Sequence, residues 1–155
     1  MSTLLTYLNE KKFKLLFLDV GLTKRAAKLD IELLLTDDIM LLNRGAIAEQ
    51  FVGQELLAYQ DPLDEPQLYY WDREEKSSTA EVDYVLNFGA MITPIEVKAG
   101  KTGSLKSLHL FMKEKNIPIG IRISSKKLAL HDKVLSVPFY LISQLQRLLQ
   151  TLDKT

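Results

Sequence analysis

Residues 80–97 constrain the fold more than any other stretch of the chain. Over residues 80–88, Val82, Tyr84, Leu86 and Phe88 alternate with Glu81, Asp83, Val85 and Asn87, a period of two that belongs to a strand with one face on a core. Gly89-Ala90 follows as a turn, and residues 91–97 return as a second strand, with Thr93, Ile95 and Val97 opposite Glu96 and Lys98. Such a hairpin brings Asp83 towards Glu96. Because side chains two apart share a strand face, Glu96 and Lys98 project together. The register stays open at this level, since a slip of one residue turns a whole set of side chains to the other face.

Acidic side chains beside an ammonium group suit phosphodiester cleavage. Two or three carboxylate oxygens hold Mg²⁺ while leaving it water positions, and a neighbouring lysine orients or helps deprotonate the attacking water. A third carboxylate is Glu49, in a helix expected over residues 44–59 with Asn43 as N-cap and Ile47, Ala48, Phe51, Val52 and Leu56 as its apolar stripe. Glu49 lies off the stripe, and its neighbours one turn away are Gly45 and Gly53, small flanks that leave it accessible. An ordinary exposed glutamate is the competing reading of that position. Glu81 shares Asp83's face and reads as decoration of the strand end rather than as a ligand.

The rest of the chain frames this hairpin. Residues 13–18 read as a short strand ended by Asp19-Val20-Gly21, and residues 22–42 as two short helices interrupted at Thr36-Asp37-Asp38. Two prolines make residues 61–66 a loop. Residues 67–71 form a strand whose Tyr69, Tyr70 and Trp71 could stack bases but read more plainly as core, and residues 73–79 a polar connection long enough to be mobile. Ser104 is a candidate N-cap for a helix to Lys115 with Leu105, Leu108 and Met112 inward, and residues 117–123 form a strand across a βαβ crossover. Residues 135–152 end the chain as an extended piece and an amphipathic helix, with Pro138 in its first turn. We read residues 1–155 as one domain: an N-terminal extension over 1–43, a core over 44–123, and a C-terminal strand and helix over 124–155. Its length and its 46% hydrophobic content suit a self-sufficient core.

Charge and composition narrow the function. Twenty basic residues balance twenty acidic ones, so whole-chain electrostatics give no general case for nucleic acid. Their distribution is uneven. Residues 29–83 carry 14 Asp and Glu against three basic residues, and residues 98–127 carry eight Lys and Arg against Glu114 alone. One reading puts a divalent metal near the first segment and phosphate along the second; the other is a solvated surface with complementary halves. The absence of cysteine excludes disulfides and thiolate sites, and no signal-like or membrane-spanning segment is visible, so a cytoplasmic location is expected. Gly100-Lys101-Thr102 is not a nucleotide-phosphate loop, because Ile95 stands where that motif needs glycine. Lys101 could still meet a phosphate, although a solvated lysine is the plainer reading. His109 and His131 are too few and too far apart to define a zinc site.

A helix carboxylate at Glu49, the strand sequence Glu81-Val82-Asp83, and Ile95-Glu96-Val97-Lys98-Ala99-Gly100, followed by a helix and a strand, together resemble the PD-(D/E)xK nuclease superfamily. A closer resemblance is to the C-terminal domain of unassigned function that follows an AAA-type ATPase module in many prokaryotic proteins. It is carried by residues 13–22, 45–57, 68–71, 81–86, 94–101 and 136–141. These resemblances imply an α/β fold, a restriction-endonuclease-like mixed β-sheet flanked by helices. They also imply Asp83 and Glu96, assisted by Glu49, as ligands of Mg²⁺ or Mn²⁺, and Lys98 as the catalytic lysine. The implied partners are a nucleic acid, DNA first, and an AAA-type ATPase module; oligomeric state stays open. The few residues before Phe13 cannot hold such a module, so the expectation is a detached domain or a stand-alone relative. A non-catalytic module that kept the fold for DNA binding, regulation or docking is the alternative, and a nuclease acting on RNA or junctions is a third.

Overall fold

The computed structural model describes residues 9, 11–26, 37–75, 78–89, 91–100 and 103–152. They form a mixed six-stranded sheet with helices on both faces. In chain order the elements are α1 (Val20–Ala26), α2 (Asp37–Ala58), β1 (Tyr69–Glu75), β2 (Ser78–Phe88), β3 (Met91–Lys98), α3 (Lys106–Glu114), β4 (Gly120–Ser124), β5 (Ala129–His131), β6 (Val134–Pro138), a 3-10 helix (Phe139–Gln144) and α4 (Leu145–Leu152). The strand order is β1-β2-β3-β4-β6-β5.

The expected hairpin forms with Tyr84 opposite Ile95, Leu86 opposite Thr93 and Phe88 opposite Met91. Gly89, with φ of 63°, turns the chain between the strands, a conformation that costs glycine little. From β3 the chain crosses through α3 to β4, which lies parallel to β3 with Glu96 beside Arg122 and Lys98 beside Ser124. This is the βαβ unit that the sequence predicts, although its second strand starts at Gly120. Leaving α3, Asn116 adopts φ of 53°, and Ile117 donates its N–H to the Met112 carbonyl at 2.8 Å, a left-handed C-terminal cap.

Two apolar layers clamp the sheet. On one face, Val52 and Leu56 of α2 pack with Tyr84, Leu86, Ile95, Val97, Ile121, Ile123 and Val137, and with Ile142, Leu145 and Leu149 from the C-terminal helices. On the other, Leu108, Phe111 and Met112 of α3 cover Val82, Val85 and Val134, with Trp71 edge-on to Phe111 at 5.3 Å.

Several expectations are corrected. Residues 13–18 are not a strand: Phe13, Leu15 and Leu18 face solvent, and the backbone of Phe17 is satisfied instead by the buried Gln50 amide. That amide accepts from the Phe17 N–H at 3.1 Å and donates to the Phe17 carbonyl at 2.9 Å. The second helix starts at Asp37 rather than Arg44, so Asn43 is an interior residue and not a cap. Of the stretch read as two short helices, 27–36 lie outside the described residues. Of the polar segment 73–79, residues 73–75 and 78–79 belong to a ladder, with Arg73 paired with Ala80, Glu74 with Thr79 and Glu75 with Ser78, and residues 76 and 77 lie outside the described residues. At the start of α3, Ser104 Oγ accepts from the Lys106 N–H at 3.3 Å, one position before the Leu105 cap. Pro138 closes β6 and precedes the 3-10 helix, and β5 forms a hairpin with β6 that the sequence reading passed over.

One correction shapes the site. Tyr69 pairs with Val85 but Trp71 pairs with Val82, so β2 carries an extra residue between them. This β-bulge breaks the alternation. Val82 and Val85 both serve the α3 side, whereas Tyr84 turns to α2.

Candidate metal centre

The bulge carries Asp83 to the α2 side, beside Glu81 and Glu49. Carboxylate oxygens of Glu49, Glu81 and Asp83 all lie within 4.8 Å of one another. Glu49 is held from below: the buried Tyr84 hydroxyl donates to the Glu49 carbonyl at 2.8 Å, and burial raises the Tyr84 pKa so that this donor keeps its proton. The close approach of Tyr84 requires Gly53, where a Cβ would stand 2.6 Å from the hydroxyl.

Asp83 is fixed at the end of the hairpin ladder, where its Oδ2 accepts the Val97 N–H at 2.7 Å. Burial and the nearby charge of Glu96 push its carboxyl up to about 7, against the opposing hydrogen bond from Val97. Glu96 is only 6% exposed. Its Oε1 accepts from Lys98 Nζ at 2.5 Å, while its buried Oε2 has no hydrogen-bond partner. Desolvation raises the Glu96 pKa in spite of Lys98, and the charges of Glu81 and Glu49 add to the rise. The Lys98 stem lies on Gly103, whose φ of 137° and missing side chain admit it; a Cβ there would meet Lys98 Cδ at 2.8 Å.

Of the residues foreseen, Glu49 and Asp83 are brought together, whereas Glu96 and Lys98 alternate with Ile95 and Val97 and leave β3 from the other face, paired with each other. Asp83 links two groups: Glu49 and Glu81 on one side, the Glu96–Lys98 pair on the other. Glu96 stands outside the triad whose oxygens meet. Glu81, read as decoration, is a member of that triad. The cation seated on it is Lys14, not Lys98. Lys14 Nζ lies 2.6 Å from Glu49 and 2.8 Å from Glu81, donates to the Asp83 carbonyl at 3.3 Å, and sits over the rings of Tyr70 and Tyr84 at 5.3 and 5.5 Å. Burial lowers the Lys14 pKa, but the two carboxylates outweigh it and the net shift is upward. Nothing in Phe13-Lys14-Leu15 signals this role; for Glu81 the signal, two residues from Asp83, was present and underweighted. Lys101 lies outside the described residues, and the exposed His131 lies on β5, at the opposite edge of the sheet from β1, within 3.1 Å of Asp132.

Oxygen-only donors fit a hard divalent cation such as Mg²⁺ or Mn²⁺ better than a soft metal.

The architecture is that of a mixed α/β domain with an acidic cluster at the open end of a β-hairpin. Residues 44–140 match the family model of a domain of unknown function, DUF4143, and the chain belongs to that family. No curated protein and no solved structure matches the chain significantly. Among the described residues, no helix is long and apolar enough to cross a membrane.

Proposed function

We propose that this domain is a metal-dependent nuclease of the PD-(D/E)xK type, with a restriction-endonuclease-like fold, that hydrolyses phosphodiester bonds in DNA. One observation carries the reading. Three carboxylates from α2 and β2 meet within 4.8 Å, next to a fourth from β3 whose buried oxygen lacks a hydrogen-bond partner. Buried anionic oxygens without partners are costly, and a bound cation relieves that cost.

Asp83 would hold Mg²⁺ or Mn²⁺ together with Glu49 and Glu81, with Glu96 beside them. The ion would supply Lewis acidity to a phosphoryl oxygen and acidity to a bound water. The chain's own groups do the rest. Val97 fixes the Asp83 carboxylate through its N–H, and Tyr84 anchors the α2 backbone at Glu49. The Lys98 ammonium has three donors and gives one to Glu96, which leaves others to orient the attacking water or a phosphate oxygen. Lys98 is the catalytic residue in this reading, and Glu96 positions it.

The order of the motif residues along the chain supports the same reading, and the resemblance to domains that follow AAA-type ATPase modules points to such a module as partner. Titration calorimetry with Mn²⁺, together with a Mg²⁺-dependent plasmid-nicking assay, tests the assignment. Asp83→Ala should lose metal binding and cleavage; Lys98→Ala should keep metal binding and lose cleavage. Equal cutting by the wild type and both variants would defeat it, and absence of saturable Mn²⁺ binding would favour a non-catalytic docking module.

A further inference from the structure

We propose that residues 11–19 form a self-inhibitory strap whose Lys14 ammonium occupies the cation position of the acidic cluster, so that a divalent ion enters only when the strap lifts. This rests on the metal-site reading above. Lys14 bridges Glu49 and Glu81 at 2.6 and 2.8 Å and is walled by Tyr70 and Tyr84. An ammonium there and a divalent ion coordinated by the same oxygens exclude one another, since both need the space between them and like charges repel.

The attachment of the strap is of a kind that can release. It takes no part in the sheet. The Gln50 amide holds Phe17 by two hydrogen bonds, Gln54 donates to the Leu18 carbonyl, Lys12 pairs with Asp72, and Leu16 packs over Gly53. Leu16 is the strap's one leucine packed against the core, while Phe13, Leu15 and Leu18 are largely exposed, Leu18 to 91%. A segment tied by a few side-chain contacts and little apolar area opens locally at a small fraction of the global stability.

The closed state is also incomplete. Lys14 serves Glu49 and Glu81 but not Glu96, whose Oε2 stays buried without a hydrogen-bond partner. A divalent ion coordinated by Glu49, Glu81 and Asp83 would add the Asp83 carboxylate, with which Lys14 Nζ makes no ion pair, and this gives it the differential affinity needed to favour the open state. The apparent affinity for metal is then reduced by the fraction of molecules that are open.

Two variants and one exchange measurement test this on the full chain, with Mn²⁺ as probe. Lys14→Met removes the ammonium. Gln50→Ala keeps that charge but unties Phe17. Calorimetry should show both binding Mn²⁺ more tightly than the wild type, by about tenfold if the strap is open about a tenth of the time. Saturating Mn²⁺ should accelerate amide exchange in residues 11–19 of the wild type. Binding of Mn²⁺ by all three proteins with the same affinity, or unchanged exchange in 11–19 on binding, would overturn the strap while leaving the metal site intact. Absence of Mn²⁺ binding in all three would overturn the metal site and the strap with it.

Discussion

Val97 gives its backbone N–H to the carboxylate of Asp83 at 2.7 Å, where the β2–β3 ladder ends at Tyr84 and Ile95. A side chain therefore takes the place of a backbone acceptor, and the acid that the metal reading needs most is also a structural cap. Both roles favour the ionised carboxylate, whereas burial and the charge of Glu96 oppose it, and the following experiments exploit that conflict.

The metal-free protein should gain thermal stability as pH falls from about 8 to about 6. The Asp83 carboxyl is raised to about 7 when folded, from an ordinary value of 3.8. The folded state therefore binds a proton that the unfolded chain does not. This contribution is fully present below about 4 and lost as pH rises through about 7. Glu96 is shifted in the same direction. Asp83→Asn keeps an acceptor for Val97 and removes the charge, so its melting temperature should be higher than wild type at pH 8 and less dependent on pH. Melting curves in chelator across this range check both signs.

Divalent metal should reverse the balance at pH 8. Ligand bound only by the folded state stabilises by about 2.7 kcal/mol at a hundredfold excess over Kd, a rise of several degrees for a chain this long. Mn²⁺ should raise the melting temperature of the wild type, chelator should cancel the rise, and Asp83→Asn should show little of it.

Two glycines of α2 should respond in opposite directions to alanine. A Cβ at Gly45 meets nothing within 4 Å, whereas at Gly53 it would stand 2.6 Å from the Tyr84 hydroxyl and 2.9 Å from Leu16. Gly45→Ala should stabilise by about 0.5–1 kcal/mol through helix propensity. Gly53→Ala should destabilise by about 1–3 kcal/mol through overpacking. Denaturant unfolding of the two variants measures the contrast.

Gly103→Ala should displace the Lys98 stem and strain the backbone at φ of 137°, at a cost of about 1–3 kcal/mol. Mn²⁺ affinity should change little, and plasmid nicking should fall, because the metal oxygens stay while the ammonium moves. Loss of metal binding equal to the loss of nicking would contradict the separation of roles between Glu96 and Lys98.

The strand pairing and the crossover were legible because they rest on strong periodic signals: Tyr84, Leu86, Ile95 and Val97 do share a face, and Val52 and Leu56 do meet them from α2. The strap was not legible. Residues 13–18 carry the composition of a strand, but what decides their conformation is a distant amide, Gln50, that supplies both hydrogen bonds a sheet neighbour would have offered. The bulge was equally hidden, since neither Asp83 nor Tyr84 is a residue type that marks one. Strict alternation consequently set Asp83 against α3 instead of α2. Charged residues in 73–79 suggested a loop, yet Arg73, Glu74 and Glu75 extend the β1–β2 ladder at the edge of the sheet.

The extra residue in β2 also fixes which parts of the domain tolerate a change in length. Deleting one residue between Val82 and Val85 would restore even alternation. Either Asp83 or Tyr84 would be lost with it, and so would the carboxylate that holds the Val97 N–H or the hydroxyl that holds the Glu49 carbonyl. Lengthening the turn at Gly89, at the far end of the same hairpin, leaves both packed layers in register. The two ends of one hairpin thus carry unequal constraints, with the irregular end closed to insertion or deletion and the regular end open to it.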